Sequence, residues 1–208
     1  MTTFLLIRHG MTDAVGNYLA GWTAGVHLNE KGREQVEQLG RNLASMRLDA
    51  IYSSPLERAR ETAEAIAIHH GCAVQLRDRL GEVHFGDWTG RSIAGLNDGD
   101  PEWRTWNSHR ATSRTPNGES YLELQNRVVS ELMAIARDHP DSLVAVVSHA
   151  DALRGALIQF LGMPGDSCLR LDVRPASVSV LQITEGEPRI AAVNIPVDGL
   201  ASLLELAW

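Results

Sequence analysis

Two runs of consecutive apolar residues constrain the fold of this chain more than any other feature. Residues 4–7 (FLLI) and 143–147 (LVAVV) have the length of a strand, and neither run has a polar face. Strands that are apolar on both faces are typical of the centre of a parallel sheet, where helices cover both sides. Stretches with helical periodicity lie between the strand-like runs, which predicts an α/β protein.

The remaining periodicity extends this prediction along the chain. We predict strands over residues 3–7, 50–53, 73–76, 143–147, 177–183 and 190–193. Apolar residues recur at helical spacing over 36–46, 56–66, 121–135 and 153–161. The expected fold is a three-layer α/β/α arrangement with a mostly parallel central sheet. The last two strands have only the short link 184–189 between them, so we expect an antiparallel pair at one edge.

Length and composition favour one domain. The 208 residues can bury a sizeable core, and we expect a single domain over 1–208. Residues 84–118 are rich in glycine, proline and tryptophan, which predicts short helices and loops that elaborate the sheet as a cap. Two predicted helices have capping signals at their starts. Ser54-Pro55-Leu56-Glu57 resembles a helix capping box, and Asn29 can cap the helix that follows it.

The charge balance excludes several classes of partner. A net charge of −7 argues against nucleic acid or an anionic membrane as the main partner. We find no secretory signal pattern and no apolar run long enough for a bilayer span. The two cysteines give neither a disulfide framework nor metal-ligand spacing. We therefore expect a cytoplasmic protein.

Basic and imidazole side chains follow three of the predicted strands. Arg8 and His9 end the first strand, Arg58 lies in the first turn of the helix after 50–53, and His149 follows 143–147. Ligands in open α/β sheets bind beyond the carboxyl ends of the strands, so these groups could meet at one rim. Guanidinium groups, imidazoles and helix N-termini together suit a phosphate.

An ordered set of motifs resembles one known family. The set begins with Arg8-His9-Gly10 and continues through residues 28–32 (LNEKG) and 53–62 (SSPLERARET). It goes on through Leu80-Gly81-Glu82 and 85–88 (FGDW), and ends with Val147-Ser148-His149. This order over residues 4 to about 155 resembles the histidine phosphatase superfamily, which includes the cofactor-dependent phosphoglycerate mutases. The resemblance implies a phosphoglycerate mutase-like fold.

The resemblance also implies catalytic roles. His9 would be the nucleophile that becomes a phosphohistidine, and Arg8, Arg58 and His149 would hold the transferring phosphoryl group. Glu82 would protonate the leaving oxygen and then activate water. The nearby arginines would lower the pKa of Glu82, so desolvation or the dianionic substrate has to compensate if Glu82 is to donate a proton.

The loop after Gly10 departs from the family pattern. The family often has Asn at the position of Val15, and Asn17 lies two residues later. We expect Asn17, Thr23, Trp22 and His84 to contact substrate.

Three functions remain open at this stage. A phosphatase that acts on a small phosphorylated metabolite is favoured over a phosphoglycerate mutase, because residues 81–90 (GEVHFGDWTG) resemble the phosphatase branch. A catalytically inactive phospho-ligand binder is disfavoured because His9 and Glu82 are both retained. We expect neither a metal nor another cofactor, since arginines can neutralise the phosphoryl oxygens. The edge strands and the apolar residues 203–208 are compatible with a homodimer.

Overall fold

The computed structural model describes residues 1–184 and 188–200 and contains one mixed, six-stranded sheet. Its strands are β1 (Thr2–Arg8), β2 (Ala50–Ser53), β3 (Val74–Leu76), β4 (Leu143–Ser148), β5 (Val178–Ile183) and β6 (Arg189–Ile195). They lie in the order β3-β2-β4-β1-β5-β6. The pairs among β3, β2, β4 and β1 are parallel, whereas β5 is antiparallel to β1 and to β6. The predicted mostly parallel sheet with an antiparallel edge is therefore confirmed.

Helices cover both faces of the sheet. They are α1 (Glu30–Leu43), α2 (Glu57–Ala67), α3 (Ile93–Gly99), α4 (Pro101–Ser108), α5 (Tyr121–Asp138) and α6 (Ala150–Phe160). Phe4 and Leu6 of β1 join the core under α5 and α6, while Leu5 and Ile7 join the core under α1 and α2. Successive side chains of a strand point to opposite faces, so a central strand between two helical layers must be apolar throughout.

Two of the predicted helix caps have different outcomes. The side chain of Asn29 accepts a hydrogen bond from the N–H of Gly32, as predicted for the cap of α1. The capping box at Ser54 is wrong, because α2 begins at Glu57 after Leu56 and has no side-chain cap. The Ser54 hydroxyl instead accepts from the N–H of Leu56 and contacts His149, which follows the neighbouring strand β4.

The segment 84–118 carries a short 3₁₀ helix at Gly86–Trp88 together with α3 and α4. Trp88 and Trp106 are almost fully buried and meet edge to face, with ring centroids 6.3 Å apart. Trp106 also packs against Tyr121 at the start of α5. The aromatic residues therefore join this segment to the core under α5.

Two sequence features fall outside the described residues. The first is residues 185–187, which form most of the link between β5 and β6. The second is the apolar stretch 203–208, on which the expectation of a homodimer partly rests. Within the described part of the chain, no helix combines the length and hydropathy needed to cross a membrane.

Candidate active site

The pairing of the two central strands brings the predicted site residues together. Arg8 of β1 lies opposite Ser148 of β4 in the parallel register, and the N–H of His9 donates to the carbonyl of Ser148 at 3.0 Å. His9 and His149 therefore leave the same edge of the sheet as neighbours, with ring centroids 5.1 Å apart. A Cβ at Gly10 would stand 2.8 Å from the carbonyl oxygen of Gly32, so only glycine allows this close turn.

His9 is held as a neutral imidazole with one nitrogen available. Its side chain is buried, and its Nδ1 lies 2.7 Å from the carbonyl oxygen of Gly10. A carbonyl can only accept, so Nδ1 carries the proton and Nε2 keeps its lone pair. Burial, together with the charges of Arg8 and Arg58, lowers the pKa of His9 well below its ordinary value. This side chain can act as a nucleophile near neutral pH.

Two guanidinium groups are anchored beside His9 with donors to spare. Arg8 donates through Nη1 to the carbonyl of Val173, and Arg58 donates through Nη2 to the carbonyl of Gly21. Nε of Arg8 and Nη1 of Arg58 are buried without a hydrogen-bond partner. Buried charged donors are costly to leave unpaired, and an anion is the natural partner for both. The buried hydroxyl of Thr12, which also lines this site, is likewise unpartnered.

His149 is fully buried next to His9, with the two ring centroids 5.1 Å apart. Its Nε2 lies 2.8 Å from the hydroxyl oxygen of Ser54, which already accepts the N–H of Leu56. If the hydroxyl donates its hydrogen bond to Nε2, the single N–H proton of the neutral ring lies on Nδ1, and Nδ1 has no partner. Burial, then the charge of Arg58, lowers the pKa of His149 well below its ordinary value. The site thus contains one more unused N–H donor.

Glu82 faces this group from the segment between β3 and α3, at the N-terminus of α6. Its Oε1 accepts from the N–H groups of Val83 and Ala152 at 3.1 and 3.3 Å. Burial raises the pKa of Glu82, and the negative charge of Asp151 raises it further. These effects outweigh the Val83 hydrogen bond and the charges of Arg58 and Arg8, so desolvation supplies the compensation that the sequence left open.

Asp151 is the charged neighbour that the sequence did not single out. Its Oδ1 lies 3.0 Å from Nη1 of both Arg110 and Arg154. Burial would raise the pKa of Asp151, but the two arginines hold it below its ordinary value. Asp151 therefore remains an anion next to Glu82. The available signal in the sequence was the position of Asp151, two residues after His149 in the first turn of α6.

Arg127 holds the chain that carries Glu82. It donates to the main-chain carbonyls of Arg79, Gly81 and Glu82 over 2.7–2.9 Å and forms an ion pair with Glu119. Trp22 donates from Nε1 to the same Glu82 carbonyl at 2.6 Å. These contacts join distant parts of the chain, so no local spacing in the sequence predicts them.

Several of these groups line a cavity of about 180 Å³. The lining includes Arg8, His9, Arg58 and Glu82, but neither His149 nor the four expected substrate contacts. Asn17 is exposed and donates to the carbonyl of Asp13, and Val15 lines the cavity instead. Trp22 stacks on His84 with ring centroids 4.4 Å apart. Thr23 does not line the cavity, and its N–H donates to the carbonyl of Ala20.

Arg60 does not belong to the site. Arg60 lies on the solvated side of α2 in an ion pair with Glu64, although it is two residues from Arg58. Across the described ranges, no three His, Cys, Asp or Glu side chains are grouped so that they could hold a metal ion.

The fold and the site together define an α/β protein that can hold an anion against a buried, neutral histidine. A model of the histidine phosphatase superfamily, branch 1, matches residues 4–196. The chain therefore belongs to this family, as its motifs predicted.

Two curated relatives extend over nearly the whole chain. Phosphoserine phosphatase 1 of Hydrogenobacter thermophilus is 31% identical over 198 residues, which is 94% of this chain and 93% of that protein. A probable phosphoglycerate mutase, GpmB, of Escherichia fergusonii is 32% identical over 188 residues, 90% of this chain and 87% of that protein.

Two solved structures are similar over the full fold. Bacillus stearothermophilus YhfR superimposes with a TM-score of 0.87 at 29% identity, covering 92% of this chain and 96% of that one. A phosphoserine phosphatase mutant from Entamoeba histolytica, in complex with phosphoserine, gives 0.83 at 25% identity, with coverage of 93% and 97%. The phosphoglycerate mutase-like fold is thus confirmed, and at least one structural relative binds a small phosphorylated metabolite.

The unpartnered donors predict that this site binds inorganic phosphate. Replacing Arg58 with Met removes one charged donor, and we expect the Kd for phosphate to rise about 10- to 100-fold, because hydrogen bonds to charged groups contribute about 1.5–3 kcal/mol. Isothermal titration calorimetry measures the change. Arg60→Met on the same helix is the matched control and should leave the Kd unchanged. Equal losses in the two variants, or none in Arg58→Met, would contradict the assignment.

Proposed function

We propose that this protein is a phosphomonoester hydrolase that acts through a phosphohistidine on a small phosphorylated metabolite, without a metal. One observation carries the proposal: the free Nε2 of His9 shares its site with the unpartnered donors of Arg8 and Arg58. Phosphoryl transfer requires positioning and neutralisation of charge on the phosphoryl oxygens, and these groups can provide both. The proposal treats 1–208 as one domain in which residues 84–118 form a cap.

In the first step, Nε2 of His9 forms a bond to phosphorus while the bond from phosphorus to the ester oxygen breaks. Arg8, Arg58 and Nδ1 of His149 donate to the phosphoryl oxygens. Glu82 gives its proton to the leaving oxygen, and the raised pKa of Glu82 increases the fraction of this acid that carries the proton.

In the second step, water replaces the histidine. The Glu82 carboxylate takes a proton from water, the water oxygen bonds to phosphorus, and the bond from phosphorus to Nε2 breaks. Inorganic phosphate leaves, and His9 and Glu82 regain their starting protonation states. Nδ1 of His9 remains bonded to the Gly10 carbonyl throughout, so the ring keeps its orientation.

A phosphoglycerate mutase is the second candidate, supported by the similarity to the probable mutase GpmB. A mutase shares the first step but passes the phosphoryl group to a substrate hydroxyl. An inactive phospho-ligand binder has no such support, because the nucleophile and the acid are both present. Conversion of 3-phosphoglycerate to 2-phosphoglycerate without release of phosphate would favour the mutase.

Replacing the nucleophile tests the covalent step. We expect His9→Ala to lower kcat by at least about 10³-fold, because no other group can form the intermediate. Wild-type protein quenched in alkali during turnover of p-nitrophenyl phosphate should gain the mass of one phosphoryl group, and the variant should not. His69→Ala, at an exposed position after α2, is the control that retains both activity and labelling. Full activity in His9→Ala would refute the mechanism, and loss of wild-type activity in EDTA would refute its metal-free form.

The negative charge of Asp151 leads to a prediction about the pH profile of kcat/KM. Its negative charge raises the pKa of Glu82, so Asp151→Asn should lower that pKa and deprotonate the acid at lower pH. We expect the alkaline limb of the kcat/KM profile for an alkyl phosphate to move to lower pH, since an alkoxide needs a proton to leave. Asp151→Glu keeps the charge and should restore the limb. An unchanged alkaline limb in Asp151→Asn protein that remains folded would contradict the role of Asp151.

A further inference from the structure

We call the part of the cavity next to Arg8, His9 and Arg58 its phosphoryl end. The wall beyond this end is apolar. Ala14, Val15, Leu19, Phe85 and Ile93 line it. They come from the loop after β1 and from the segment that follows Glu82, so two separate parts of the chain supply the same kind of surface. The ring of Tyr18 adds an aromatic surface with one hydroxyl group.

The charged groups of the same cavity are already assigned. Arg8 and Arg58 are its two cationic side chains, and both direct unpartnered donors to the phosphoryl end. The other charged side chain besides the acid Glu82 is Asp151, which is an anion. A carboxylate on the leaving group would find no further cation in this wall.

The neighbouring arginines are already paired with other groups, so they do not supply that cation. Arg110 and Arg154 are both paired with Asp151, and Arg154 also donates to the carbonyl of Leu171. Arg127 is occupied by Glu119 and by three main-chain carbonyls. Residues 185–187 and 201–208, which lie outside the described part of the chain, contain no Lys, Arg or His.

We propose that the site selects phosphomonoesters whose leaving alcohol is uncharged and presents an apolar body, and that it discriminates against leaving groups with a carboxylate. The inference rests on the proposed phosphatase function and narrows its substrate class. Phosphoserine, which a structural relative binds, would be a poor substrate. Burying a carboxylate without a partner is costly, whereas an apolar group gains from the contact with this wall.

Val15 is the wall residue best suited to test this selection. It is partly exposed and lies in the turn that its own N–H closes on the carbonyl of Thr12. A lysine there would place an ammonium group at the mouth of the cavity, and a methionine would place an uncharged chain of similar length. The pair Val15→Lys and Val15→Met therefore separates charge from size.

The experiment compares 3-phosphoglycerate with glycerol 3-phosphate, which share a carbon skeleton and a primary leaving oxygen and differ in the carboxylate. Butyl phosphate is the apolar member of the series. For the wild-type protein we expect kcat/KM for glycerol 3-phosphate to exceed that for 3-phosphoglycerate at least about 10-fold, equivalent to about 1.4 kcal/mol, and butyl phosphate to be better still. Val15→Lys should reduce the first ratio at least about threefold relative to Val15→Met.

Three results would overturn the inference. If the wild-type protein hydrolyses 3-phosphoglycerate as well as or better than glycerol 3-phosphate, the inference fails while the phosphatase function stands. If it hydrolyses none of the three esters and forms no phosphoenzyme, the proposed function fails and the inference fails with it. A ratio that is the same in Val15→Lys and Val15→Met would show that charge at this wall does not select the substrate.

Discussion

His9, Glu82 and His149 are buried side by side with two guanidinium groups, and this shared burial controls the protonation of all three. Removal from water disfavours the charged form of each group. It therefore lowers the pKa of both imidazoles and raises the pKa of the carboxyl, although the positive charges of Arg8 and Arg58 act against the shift of Glu82. A free lone pair on His9 and a raised pKa of Glu82 are what the proposed nucleophile and the proposed acid require.

The fold maintains this arrangement with hydrogen bonds to the main chain. Each active-site arginine is anchored to one carbonyl, and the tautomer of His9 is set by the carbonyl of Gly10. Arg127 binds the chain that carries Glu82 at three carbonyls. Backbone anchors leave the remaining donors oriented before any ligand binds, which reduces the reorganisation needed during reaction.

The sequence predicted the sheet, its edge pair and the family because these depend on periodicity and on ordered local motifs. It also indicated that the strand-end groups Arg8, His9, Arg58 and His149 meet at one rim, since the carboxyl ends of parallel strands share an edge. Glu82 was assigned only from the family resemblance. The sequence missed Asp151, Arg127 and the contact of Ser54 with His149, which arise from pairs far apart in the chain. The expected contacts of Asn17 and His84 with substrate depended on the loop after β1 and on the segment after Glu82, and no local pattern specifies the path of either.

The two ends of the cavity are formed by different kinds of chain segment. The phosphoryl end comes from strand ends and helix starts, whose geometry the hydrogen bonds of the sheet constrain. The wall comes from the loop after β1 and from the segment after Glu82, where side chains can change without disturbing the sheet. Members of one family can therefore share a first chemical step and differ in the alcohol that they release.

The protonation of His9 is the most direct test of this account. In protein labelled with ¹⁵N at histidine, with resonances assigned through His9→Ala and His149→Ala, we expect His9 to show the neutral Nδ1–H tautomer throughout a titration between about pH 8 and pH 6, a range in which ordinary histidines gain a proton. Protonation of His9 near about pH 6.5, the value of an unperturbed imidazole, would contradict the claim that burial prepares this residue as the nucleophile.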